Sequence, residues 1–174
     1  MGVSAMACNY LMVSVFLLAG LPAWAQAQDM VFDPAPTEAC LAAAPSDLAS
    51  CIGHSADACM MENPQGETTM GMSFCLSQEW EWWDARLNAA YAVLMEKHEA
   101  GDAQVKAEGL EVASVAEALR AMQRAWIDYR DAACDYERAQ WAGGTGGGPA
   151  TAACLMRLTG LRTLELEGKV AMGE

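Results

Sequence analysis

Apolar residues recur at alternating spacings of three and four along two long stretches of the chain. In the first, Met72, Leu76, Trp80, Trp83, Leu87, Tyr91 and Leu94 share one helical face, which predicts a helix over about residues 69–100. The turn-forming sequence ENPQG at 62–66 precedes it, Thr68 or Thr69 can cap it, and Gly101-Asp102 is expected to end it. In the second, Val112, Val115, Leu119, Met122, Trp126, Tyr129, Ala133 and Tyr136 mark the seam of a helix over about 112–141, of the kind that packs at a shallow angle. The glycine-rich run 143–148 breaks that helix and reads as a hairpin loop. Pro149 suits the first turn of a third helix, in which Leu155, Leu158, Leu161 and Leu164 are the apolar positions as far as about Val170. No stretch alternates with a period of two. The expected fold class is all-α: an antiparallel bundle of three main helices plus short N-terminal helices.

The N-terminal third reads differently. Residues 38–62 carry Cys40, Cys51 and Cys59 on Ala-rich stretches broken by Pro45 and Gly53, which predicts one or two short helices held by covalent links. Residues 26–36 have no period and two prolines, and are expected to form a mobile lead-in. The first 25 residues contain no charged side chain, and the apolar run from Tyr10 to Leu21 is too short to span a bilayer comfortably. Pro22 and the small-x-small sequence Ala23-Trp24-Ala25 follow it, the layout of a signal peptide cut before Gln26 or after Ala27. No Cys follows that site to take a lipid. The expected organisation is a leader at 1–25, a Cys-bearing segment at 26–58 and a helical domain at 59–174, in a periplasmic or secreted protein that does not insert in the membrane once the leader is gone.

Export changes how the cysteines are read. Without Cys8, which leaves with the leader, Cys40, Cys51, Cys59, Cys75, Cys134 and Cys154 remain, an even set that favours disulfides over a metal site. No C-x-x-C occurs, and His54 and His98 lie far apart, so no metal or cofactor is expected. Across a hairpin turning at the glycine run, Cys134 and Cys154 stand about 10 and 8 Å from the turn and are level. Bridging them stabilises by about 3 kcal/mol on the loop-entropy estimate. The Pro-Gly turn returns Cys59 beside Cys75, which leaves Cys40 for Cys51, one of about 15 connectivities.

All 23 acidic and 10 basic residues follow the leader, so the exported part carries the whole formal charge of −13. Such a surface repels nucleic acid and attracts cationic proteins. Glu79, Glu81 and Asp84 cluster on the first long helix, but Glu79 and Asp84 share a face poorly and favour a solvated surface over an acid/base pair. No Ser-His-Asp or Cys-His arrangement is present, so no enzymatic activity is expected. Trp83 and Trp126, at helical spacing, are expected in the core.

The string WDARLNAAY at 83–91, the string LRAMQRAWIDYRDAAC at 119–134, the glycine-rich loop and the CLMRLTGLRTL string from Cys154 together resemble the lysozyme inhibitor LprI-like family over about residues 59–166. That resemblance implies a small exported helical protein that binds a protein partner, with a cationic lysozyme as the candidate. The matched residues Trp83, Asp84, Leu87, Asn88, Tyr91, Gln123, Trp126, Arg130 and Asp131 are expected to serve the architecture, the polar ones satisfying one another beside the seams. For insertion into a cationic enzyme's cleft, the candidates are Glu79 and Glu81 as exposed acids and Gly146 and Gly147 in the loop. The alternative is an envelope-assembly module that meets another protein partner.

Overall fold

The computed structural model describes residues 1–2 and 30–173. The apolar run and the cleavage site of the expected leader lie outside the described residues. Five α-helices are described, α1 (Ala35–Ala42), α2 (His54–Glu62), α3 (Thr69–Ala107), α4 (Val115–Ala139) and α5 (Gly147–Met172), with a short 3-10 helix at Leu48–Cys51 between the first two. The fold is all-α, and no strand occurs among the described residues.

The three long helices run up, down and up. Thr163 of α5 meets Trp83 of α3, and Glu167 meets Arg86, so α3 and α5 are parallel neighbours with α4 antiparallel to both. Arg86 holds Glu167 with two bonds of 3.1 and 2.9 Å while its guanidinium lies 4.7 Å from the Trp82 ring centre. The core divides into two clusters stacked along the bundle. The upper one gathers Ala56, Cys59, Cys75, Leu76, Trp83, Ala152 and Met156 under the N-terminal helices. The other gathers Leu87, Ala90, Leu94, Met95, Ala116, Leu119 and Leu166.

The structure pairs Cys40 with Cys51, Cys59 with Cys75 and Cys134 with Cys154, the arrangement that the hairpin layout suggests. The first bond lies within the N-terminal segment, the second ties α2 to α3, and the third joins α4 to α5.

Several sequence expectations shift. α3 does not stop at Gly101-Asp102 but runs on to Ala107, where Gly109, with φ +74°, turns the chain. An exposed helical glycine costs only about 1 kcal/mol relative to alanine, so the helix runs through Gly101. The seam of α4 is rotated by one position: the buried residues are Ala116, Leu119, Gln123 and Cys134, whereas Val112, Val115, Met122, Tyr129 and Tyr136 are exposed. The expected leucine positions of α5 likewise give way: Leu161 is exposed, and the buried face carries Met156 and Leu166 together with Ala152, Thr159, Gly160 and Thr163, whose small side chains allow close packing. At Gly160 an added Cβ would stand 2.9 Å from Ile52. The lead-in is anchored, not mobile, over its described part. Val31 exchanges two hydrogen bonds with the Asn63 side chain, and Met30 and Phe32 pack on the upper core.

Candidate functional site

Glu79, expected as an exposed contact, is fully buried. It points from α3 into the start of α2, whose first N–H groups have no helical partners of their own. Oε1 accepts from Gly53 N at 2.7 Å, Trp83 Nε1 at 3.0 Å and Thr37 Oγ1 at 3.1 Å, and Oε2 accepts from Ala56 N at 2.7 Å. Thr37 and Ser55 complete the cap: each hydroxyl oxygen accepts the other residue's backbone N–H at 3.0 Å. Gly53 adopts φ +105° to enter this turn, a conformation that suits glycine. One carboxylate therefore joins α1, α2 and α3, and it is unavailable to a partner.

Gly146 and Gly147 are also not an insertion loop. α5 begins at Gly147, which is buried, and the ring of Trp141 covers Gly146 so closely that a Cβ there would stand 2.1 Å from it. Glu81 is exposed, as expected, and accepts a hydrogen bond from Gln78.

The matched polar residues meet at a second place, around Trp126 where α3, α4 and α5 come together. Trp126 is half-buried rather than fully enclosed, with the guanidinium of Arg130 at 5.1 Å and that of Arg162 at 5.9 Å from its ring centre. Arg162 is 5% exposed and donates to the buried Gln123 at 3.1 Å and to Glu165 at 2.8 Å. Arg130 donates to Asp131 at 2.9 Å and lies 3.9 Å from Asp84, which in turn accepts from Asn88 at 2.9 Å. Asn88 and Asp131 are exposed, yet each bonds within this group, Asn88 to Asp84 and Asp131 to Arg130. Trp83 and Leu87 are core residues, and Tyr91 packs partly buried against the lower cluster. The arrangement holds two arginines against an indole and fixes the carboxylates of Asp84, Asp131 and Glu165 around them. Arg162 lay in the matched α5 string, but its partners were not evident from sequence, because the pairing needs the helix crossing.

Residues 59–166 match the family described as Lysozyme inhibitor LprI, which spans more than half of the chain. This chain belongs to the lysozyme inhibitor LprI family. An uncharacterized protein of Rhizobium meliloti (strain 1021) is 34% identical over 98 residues, covering 56% of this chain and 70% of that protein. No solved structure matches. In this LprI-family chain the matched region begins at Cys59, so Cys40, Cys51 and Thr37 lie ahead of it. Among the described residues no cluster of metal-ligating side chains occurs, and no helix is long and apolar enough to cross a membrane.

Beyond the Trp126 centre, the outward side of α4 presents Val115, Met122, Tyr129 and Tyr136 to solvent. An apolar hollow of about 350 Å³, lined by Val115, Ala118, Leu119 and Met122 with His98 and Lys169, opens at its N-terminal end. Exposed apolar residues in such continuity point to contact with another molecule.

Proposed function

We propose that this chain is an exported acidic binding protein that inhibits a cationic cell-wall hydrolase of the lysozyme type. Membership of the lysozyme inhibitor LprI family over residues 59–166 is the observation that carries this reading. The formal charge of −13 supports it, because an acidic surface accelerates encounter with a cationic enzyme. Charge alone gives attraction without a fixed pose. The half-exposed carboxylates of Asp84 and Glu165, set beside Arg130 and Arg162, offer rigid acceptors for basic side chains at the rim of an enzyme cleft. Glu81 on the same helix as Asp84 extends that acidic edge.

Export to the periplasm or beyond belongs to the same proposal. It rests on the leader-like sequence, the three disulfides and the family. The test is a titration of purified protein into a cationic lysozyme, comparing the wild type with Asp84→Lys/Glu165→Lys and with Glu111→Lys/Glu137→Lys. Loss of inhibition in the first double variant and retention in the second supports a defined site. Equal effects of both would leave only a charge field.

A second reading, an envelope-assembly module, is favoured by the exposed apolar face of α4, which an inhibitor of this kind does not need. Co-purification of an envelope protein together with an absence of inhibition would select it.

A further inference from the structure

Between α2 and the first turn of α3 lies a hollow of about 420 Å³, lined by Met60, Met61 and Met72 together with Asp57 and Glu67. Its walls are held in place. The Cys59–Cys75 disulfide ties α2 to α3, and the turn between them folds back so tightly that a Cβ on Gly66 would stand 2.1 Å from the carbonyl oxygen of Met60. Met60 and Met72 rest on the upper core, whereas Met61 is 76% exposed. Thioether side chains are flexible and polarisable, and suit a surface that receives another molecule's side chain.

The charge around this hollow is of one sign. The first Lys or Arg of the chain is Arg86, and the described residues before it hold nine acids, of which only Glu79 is buried. Asp57 and Glu67 are exposed, and neither side chain has a hydrogen bond or ion pair among the described residues. An apolar floor beside two unneutralised carboxylates complements a side chain with an apolar stem and a cationic end, as Lys and Arg have. A neutral apolar segment would strip water from both carboxylates without replacing it, and an acidic one would be repelled.

We propose that this hollow is a docking surface for a cationic protein, in which a Lys or Arg side chain of the partner lays its stem across Met60, Met61 and Met72 and brings its charge to Asp57 and Glu67. The partner's identity as a cationic hydrolase rests on the function proposed above. The contact is distinct from the Asp84 edge, because Asp84 lies about 18 Å further along α3 than Met72. Since the walls of the hollow are fixed before contact, little ordering opposes docking.

Methyl NMR of the disulfide-intact protein, its methionine methyl groups isotope-labelled, tests the proposal with two probes: a cationic lysozyme and a peptide of alternating Lys and Leu. The signals of Met60, Met61 and Met72 should shift with either probe, while those of Met122 and Met172, exposed elsewhere, stay in place. Asp57→Lys/Glu67→Lys should weaken lysozyme binding by about tenfold or more, and the equally charged Glu111→Lys/Glu137→Lys by about threefold at most. Circular dichroism melts verify that each variant is folded. Lysozyme bound with the three signals unmoved overturns the docking surface and leaves hydrolase inhibition standing. Peptide-induced shifts at the three methionines without any lysozyme binding support the surface and remove the hydrolase as its partner. Unmoved signals with both probes, or equal losses in the two double variants, overturn the proposal.

Discussion

Asp102 of α3 accepts a 2.5 Å hydrogen bond from the hydroxyl of Ser114, the residue that caps α4. The same carboxylate accepts from the N–H groups of Val115 and Ala116 at 3.0 Å each, so the end of one helix caps the start of the next. Ser114 also accepts from Glu117 N at 3.0 Å, as the S-x-x-E sequence of a capping box leads one to expect.

These bonds, the Ser114 hydroxyl first, hold the Asp102 carboxyl below its ordinary value of 3.8. A carboxyl lowered on folding contributes stability that is full above its unfolded pKa and is lost as pH falls through its folded one. Asp102→Asn should therefore lower the melting temperature at neutral pH, with the gap to wild type closing below about pH 4. Melts from acid to neutral pH check this, and parallel curves would show that the cap does not titrate as described.

Glu79→Ala removes the acceptor for four buried donors at once. A loss of about 3 kcal/mol or more in chemical denaturation is expected, because each stranded donor costs about 1–3 kcal/mol. Glu79→Gln should also destabilise, since its amide nitrogen would face a donor. A variant that melts like wild type yet loses partner binding would return Glu79 to the surface role that its burial argues against.

Trp126→Ala should destabilise by about 3 kcal/mol even though the ring is only half-buried, because Arg130 and Arg162 lose the surface they share. Arg162, almost fully enclosed, would be left with a void beside it. Retention of wild-type stability would indicate that the indole packs against little.

The helices and their covalent links were legible because hydrophobic period, turn residues and cysteine spacing are local signals. The pairing of Cys134 with Cys154 followed from distance to one turn. The face of α4 is not legible in the sequence because two adjacent rows share the same spacing, and only packing against α3 and α5 decides that Ala116 and Gln123 go inward while Val115 and Met122 stay outside. The burial of Glu79 is hidden for a related reason. An acidic residue among tryptophans reads as surface, and its donors, at Thr37, Gly53 and Ala56, come from segments that sequence alone does not bring together. The matched motif located the polar centre around Trp126, but its contact between Arg162 and Gln123 spans 39 residues.

The most direct measurement is the turnover of a cationic lysozyme titrated with native protein and, in parallel, with protein reduced and alkylated at its six cysteines. Both preparations carry nearly the same formal charge, and only the native one keeps the bundle that positions Asp84 and Glu165. The account predicts saturating inhibition by the native protein that weakens as the Debye length falls from about 30 Å at 0.01 M salt to about 10 Å at 0.1 M, and little inhibition by the alkylated chain. No inhibition at micromolar native protein in low salt, or equal inhibition by both preparations, would contradict it.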